Sequence, residues 1–281
     1  MVQTILVPTD FSNNALVATK YAVGLAKELG SEIHVIHAYQ PFTSAFQSPL
    51  ANETDEKRAK LGAEKTMSVF LESVGKAMGV QITHSIVKQS VVSAIKEYIR
   101  DNAGTLLVMG THGASGTRKD VLGSNTYDVT KTLSAPMLIV PEHTTNNSIR
   151  NVVFFTDYQQ NDTQTLTELG KVTGKTDVKC TLVHILKQHD TPTQDDFQKL
   201  ENWKTNLGQQ ASFENISTEL VQGKENVETV NKVLQKLNAD LVLLTLVGGR
   251  GFFEKLLHKS LARTIILNSE TPVFLSSREV E

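Results

Sequence analysis

The chain repeats itself, and this constrains its fold more than any single motif does. Thr4-Ile5-Leu6-Val7-Pro8-Thr9-Asp10 recurs as Asn151-Val152-Val153-Phe154-Phe155-Thr156-Asp157, so that Asp157 stands 147 residues after Asp10, and His37 is answered by His184 at the same offset. Further on, Leu106-Leu107-Val108 aligns with Val242-Leu243-Leu244 and Pro136 with Pro272, both at an offset of 136. The second copy is therefore shorter by 11 residues between its second and fourth strands, a loss expected in its second helix and flanking loops. A length of 281 residues suits two domains. They are expected at 1–142 and 150–281, joined by the polar stretch from Pro141 to Arg150.

Within each copy, short β-rich runs alternate with longer stretches of helical period, the pattern of βαβ units and a parallel sheet. In the first copy this predicts strands at 2–7, 33–38, 81–87, 105–109 and 136–140. Between the first two, Ala15, Ala18, Ala22, Leu25, Ala26 and Leu29 recur at helical spacing, with Ser12 or Asn13 as N-cap and Gly30 as terminator. Further helices are expected at 53–78, 90–102 and 124–134. The second copy predicts strands near 151–155, 178–184, 214–221, 240–244 and 272–276.

Composition excludes several classes of function. Hydrophobic residues make up 40% and charged residues 21%, which is globular rather than disordered. A formal net charge of −2 creates no field for a polyanion, so no nucleic-acid partner is expected. No apolar run approaches the roughly 20 residues needed to span a bilayer, and no basic region precedes an apolar leader. No membrane association is expected, and the reading is a cytoplasmic protein. The single cysteine, Cys180, lies in an apolar-alternating segment and reads as a buried structural thiol.

Ligands of open parallel sheets settle at the carboxyl ends of strands, where neighbouring connections leave on opposite faces. Asp10 follows the first strand, Ala38 closes the second, and the fourth runs into Met109-Gly110-Thr111-His112-Gly113, followed ten residues after Gly113 by Gly123-Ser124-Asn125-Thr126. Glycines allow close backbone approach. Gly123 and Ser124 open a helix whose unpaired N–H groups favour phosphate oxygens. Ser124 and Asn125 add side-chain donors, and Asp10 can accept from ribose hydroxyls or an adenine amine. His37 reads as a strand residue satisfied by its neighbours, and Arg118 and Lys119 as solvated loop charges. Gly-x4-Gly-Lys-Ser/Thr is absent, and Gly249-Arg250-Gly251-Phe252-Phe253-Glu254 lacks the third glycine of a dinucleotide fingerprint.

Pro8-Thr9-Asp10-Phe11-Ser12, together with Gly-x2-Gly-x9-Gly-Ser, resembles the ATP-binding class of universal stress proteins, and the likeness extends over both halves. The resemblance implies an α/β fold of two tandem open five-stranded parallel sheets, order 3-2-1-4-5, flanked by helices and similar to adenine nucleotide alpha hydrolases. It implies ATP or AMP as ligand, with or without Mg²⁺. Pro8, Thr9, Asp10 and Ala38 would lie near base and ribose. Met109, Gly110, His112, Gly113, Gly123, Ser124, Asn125 and Thr126 would surround sugar and phosphates. It further implies that the two halves pair through sheet edges inside one chain, and it leaves room for a homodimer.

In the second half, Gly113 aligns with Gly249 and Ser124 with Ser260, but Gly110 with Leu246 and Gly123 with Lys259. Half the phosphate motif is missing, so this half is expected to be degenerate. Its 248–253 loop reads as a surface or partner contact. The function expected is a nucleotide-binding stress-response or signalling protein. A slow ATPase and a non-catalytic scaffold with ligand-free sites are the alternatives. Asp120 is the sole acid in the glycine loop and no carboxylate pair or Walker lysine accompanies it, so no catalytic or metal-binding residues are assigned.

Overall fold

In the computed structural model, residues 2–41, 48–75, 79–112, 122–133, 135–174, 178–187, 191–246 and 261–277 are described. The first half runs β1 (Thr4–Pro8), α1 (Asn13–Leu29), β2 (Glu32–Tyr39), α2 (Pro49–Val74), β3 (Ile82–Lys88), α3 (Val91–Asp101), β4 (Thr105–Gly110), α4 (Ser124–Thr132) and β5 (Met137–Val140). The second half repeats it with β6 (Asn151–Phe155), α5 (Asp162–Thr173), β7 (Lys179–Lys187), α6 (Gln194–Ala211), β8 (Ile216–Gly223), α7 (Val227–Lys236), β9 (Leu241–Leu246), α8 (Leu261–Asn268) and β10 (Val273–Ser277).

Each half has the order 3-2-1-4-5, and the two expected sheets merge into one of ten strands, β3-β2-β1-β4-β5-β10-β9-β6-β7-β8. Every pairing is parallel except β5 with β10, where the halves meet. There Leu138 faces Phe274, Ile139 faces Val273 and Met137 faces Leu275. At the repeat offset of 136, Leu138 and Phe274 are equivalent positions and the flanking pairs exchange. A pseudo-twofold axis therefore passes through the Leu138–Phe274 pair, as in an isologous dimer interface.

The strands are near-continuous apolar runs because helices cover both faces of the sheet. Alternate residues point to opposite faces. Ile5 and Val7 point to the sheet face covered by α1, α2, α5 and α6, whereas Leu6 points to the face covered by α3, α4, α7 and α8. The small residues of α1, with Ala18 and Ala22 fully buried, bring that helix close to the sheet. Ser12 caps α1 by accepting from the Ala15 N–H, and Gly30, at φ 67°, ends it. The second helix starts earlier than expected, at Pro49, because Ser48 accepts from the Ala51 N–H and proline suits the first turn. Cys180 is fully buried on β7, and burial pushes its thiol up to about 12. Among the described residues, no helix is long and apolar enough to cross a membrane.

The pairing register refines the alignment of the halves. β1 pairs Leu6 with Leu107, while β6 pairs Val153 with Val242, which sets the fourth strands at an offset of 135 rather than 136. The counterpart of Gly110 is therefore Thr245, not Leu246.

Candidate functional site

The connections of β1 and β4 leave in opposite directions, so the crevice of the first half lies at their carboxyl ends. Pro8 ends β1 opposite Ile36, and Thr9, nearly buried, continues the ladder by donating its N–H to the Ile36 carbonyl at 2.9 Å. The chain then turns sharply. Phe11 holds a left-handed φ of 65°, its N–H donating to Thr9 Oγ1 at 2.9 Å, while Asp10 Oδ1 accepts from the Ser12 N–H at 3.1 Å. That strained conformation is held because the Phe11 ring lies 4.3 Å from the ring of His37. His37 Nδ1 bonds the Thr9 carbonyl at 2.8 Å, which can only accept, so Nδ1 carries the proton. His37 thus acts as a brace for the turn, as its strand position suggested. Ala38, one residue on, stands partly buried opposite Val87.

On the other side of the crevice, Met109 is buried and Gly110 closes β4. A Cβ on Gly110 would lie 1.8 Å from Asn14 Oδ1, so the strand end and the first turn of α1 are in contact only because no side chain intervenes. Asn14 Oδ1 accepts from the His112 N–H at 3.1 Å and so ties the chain beyond β4 to α1. Thr126 Oγ1 donates to the Gly110 carbonyl at 3.0 Å, fixing the start of α4 against the same strand end. The Gly123 N–H donates to the Thr111 carbonyl at 3.0 Å. Gly123 is the N-cap of α4 and offers no side chain to the helix N-terminus, where Ser124 and Asn125 are exposed. Gly113 lies outside the described residues.

Among the described residues, two buried polar atoms at this crevice lack a hydrogen-bond partner: Asn14 Nδ2 and His112 Nε2. An unsatisfied buried polar group costs about 1–3 kcal/mol, and such a pair beside an uncapped helix start fits a ligand carrying hydroxyl and phosphate oxygens. Asn14 stands out only in the folded chain, since in sequence it reads as one more residue of a helix start.

The second half reproduces the brace and alters the crevice. Tyr158 holds φ 61°, its N–H donates to Thr156 Oγ1 at 2.9 Å, its ring lies 4.6 Å from His184, and His184 Nδ1 donates to the Thr156 carbonyl at 2.9 Å. Gln159 and Gln160 replace the capping Ser12 and Asn13, so α5 starts later, at Asp162, the counterpart of Ala15. The Asp162 side chain is buried and accepts from Thr156 Oγ1, from Thr245 Oγ1 at 2.7 Å and from Trp203 Nε1 at 3.3 Å. Burial raises its carboxyl above the usual range, and those hydrogen bonds oppose the rise. At the same mouth burial, and next the neighbouring Asp157, raise the Glu225 carboxyl. The counterparts of Gly113, Gly123 and Ser124, and with them Phe252 and Phe253, lie outside the described residues.

Comparison with known proteins agrees with this architecture. The universal stress protein family model matches residues 1–141. A universal stress protein of Methanocaldococcus jannaschii is 29% identical over 138 residues, 48% of this chain and 80% of that protein. Another, from Thermus aquaticus, is 28% identical over 141 residues, 50% of this chain and 99% of that protein. The crystal structure of a universal stress protein from Archaeoglobus fulgidus superposes with a TM-score of 0.74 at 18% identity, covering 98% of both chains, a likeness of fold across both halves.

Proposed function

Since the chain belongs to the universal stress protein family, we propose that its first half binds an adenine nucleotide, ATP or AMP, and that occupancy of this site is its stress-response or signalling output. The observation that carries this reading is the pair of unpartnered buried atoms, Asn14 Nδ2 and His112 Nε2, at the mouth between β1 and β4. Three further features support it: the bare Cα of Gly110 against Asn14, the side-chain-free cap of α4 at Gly123, and the turn that sets Asp10 at the rim. Pro8, Thr9, Asp10 and Ala38 would receive the nucleoside. Met109, Gly110, His112 and Gly113 would line the sugar and first phosphate. Gly123, Ser124, Asn125 and Thr126 would meet the phosphate tail, with or without Mg²⁺. The protein would respond by a shift between empty and filled states, whose size is set by the difference in nucleotide affinity between them.

Calorimetric titration of the full chain with ATP, AMP and GTP tests the proposal, and an adenine nucleotide is expected to bind more tightly than millimolar. Asp10→Ala and Gly123→Val should each weaken binding by about tenfold or more, the scale of a lost hydrogen bond to a charged group. Wild-type affinity in both variants would put the ligand elsewhere. Phosphate release with and without Mg²⁺ separates sensing from hydrolysis.

A further inference from the structure

The two crevices occupy equivalent places in the sheet and differ in a few side chains, so each serves as the reference for the other. At the mouth of the first, the equivalent positions are Thr9, Ala15, Ala18 and Gly110. At the mouth of the second they are Thr156, Asp162, Thr165 and Thr245. Two alanines and a glycine have become a carboxyl and two hydroxyls. These groups bond one another. Asp162 takes hydrogen bonds from Thr156 at the end of β6 and from Thr245 on β9, and Thr245 Oγ1 also lies 3.0 Å from Thr165 Oγ1. The carboxyl therefore spans the gap between the two central strands, where a ligand of this sheet type would seat. Trp203 of α6 closes the network from outside. Among the described residues, none of the buried unpartnered polar atoms belongs to the second half, although Asn161 stands at the position of Asn14.

We propose that Asp162 and Thr245 are specificity-determining residues that shut the second crevice to adenine nucleotide, with the Asp162 carboxyl supplying from within the chain the polar partner that a ligand supplies to the first half. The proposal rests on the first half's being the nucleotide site. It goes beyond the missing glycines, because it assigns the closure to a side-chain bridge between the ends of β6 and β9. Exclusion by that bridge is steric and polar together. Thr245 puts a side chain at the strand end where Gly110 has only the Asn14 side chain against its bare Cα, and the hydroxyls that a ribose or phosphate would use are already committed.

The test is equilibrium dialysis of the full chain with radiolabelled ATP and AMP. Wild type is compared with Asp162→Ala/Thr245→Gly, which copies Ala15 and Gly110 into the second half. Wild type should hold one nucleotide per chain and the double variant should gain a second, weaker site. A folded double variant that still holds one overturns the proposal. A wild type that holds none, beside a variant that holds one, would defeat the assignment of the first half while leaving the closure by Asp162 and Thr245 standing. Hydrogen–deuterium exchange of the wild type with saturating AMP gives a second reading that needs no variant. Slower exchange is expected at the ends of β1 and β4 and the start of α1, with residues 156–165 and 241–246 unchanged. Protection of 156–165 by AMP would overturn the proposal.

Discussion

The contact between Gly110 and Asn14 gives the sharpest quantitative expectation. An ideal Cβ on Gly110 stands 1.8 Å from Asn14 Oδ1, 2.7 Å from its Cγ and 3.2 Å from its backbone carbonyl oxygen. In Gly110→Ala the Asn14 side chain must therefore leave its place, and at 4% exposure it has little room to do so. Leaving breaks its bond from the His112 N–H, worth about 1 kcal/mol, and the forced shift of packed groups adds about 1–3 kcal/mol. A loss of roughly 2–4 kcal/mol corresponds to a fall in melting temperature on the order of 5–15 °C for a chain of this size. Gly62→Ala is the control. Gly62 lies in α2 with nothing within 4 Å of its Cβ position, so alanine there should stabilise by about 0.5–1 kcal/mol. Thermal unfolding followed by circular dichroism reads both variants. Adding Asn14→Ala to Gly110→Ala should recover at least half the loss, since the two residues are coupled through one contact. Gly110→Ala melting within about 1 °C of wild type would refute the packing argument, since a 2–4 kcal/mol loss cannot hide in so small a shift.

Other expectations follow from burial. Because the Cys180 thiol is raised from 9.0 to about 12 in the folded chain, its contribution to stability is complete below pH 9 and is lost as pH rises from 9 toward 12. Urea titrations should show this alkaline decline weakened in Cys180→Ala; an identical decline in both would contradict it. Asp162 is likewise raised above the ordinary aspartate value of 3.8, so wild type should lose stability relative to Asp162→Asn as pH rises from about 4 through the folded-state value. A difference that stays flat between pH 4 and 7 would argue against a buried carboxyl. Phe274 is fully buried at the axis between the halves, and Phe274→Ala should cost about 3–5 kcal/mol in urea unfolding, whereas a cost under about 1 kcal/mol would mean the seam is not tightly packed.

Much of this architecture is legible in the sequence because its signals are local and repeated. The apolar strand runs, the Ser12 cap and Gly30 stop of α1, and the matched pairs Thr9/Thr156 and His37/His184 each declare a position without reference to distant residues. The register of β9 was not legible. An offset of 136 holds at Pro136 and Pro272, and nothing in the apolar run of β9 reveals that its own offset is 135; the ladders with β6 and β10 do. The role of Asn14 was hidden for a different reason. Its contacts, Gly110 and His112, lie nearly a hundred residues away and depend on the helix meeting the strand end. Asp162 did leave a trace. Reading α5 against α1 sets Asp162 over Ala15 and Thr165 over Ala18, polar residues on a face that the first copy buries, and buried polar groups at helical spacing imply partners for one another. The early start of α2 is legible too, in Ser48-Pro49, a capping serine and first-turn proline ahead of the charged run.

The β5–β10 seam changes what mutation can do. In an assembly of two identical chains, every substitution strikes both crevices, and a residue that blocks one blocks the other. Here the partner across the Leu138–Phe274 axis is carried on the same polypeptide, held at an effective concentration on the order of millimolar and free to differ in sequence. A threonine can therefore stand at the end of β9 while a glycine stands at the end of β4. The ends of one lobe's strands can change while the other's stay as they are, and the pairing of the two survives dilution.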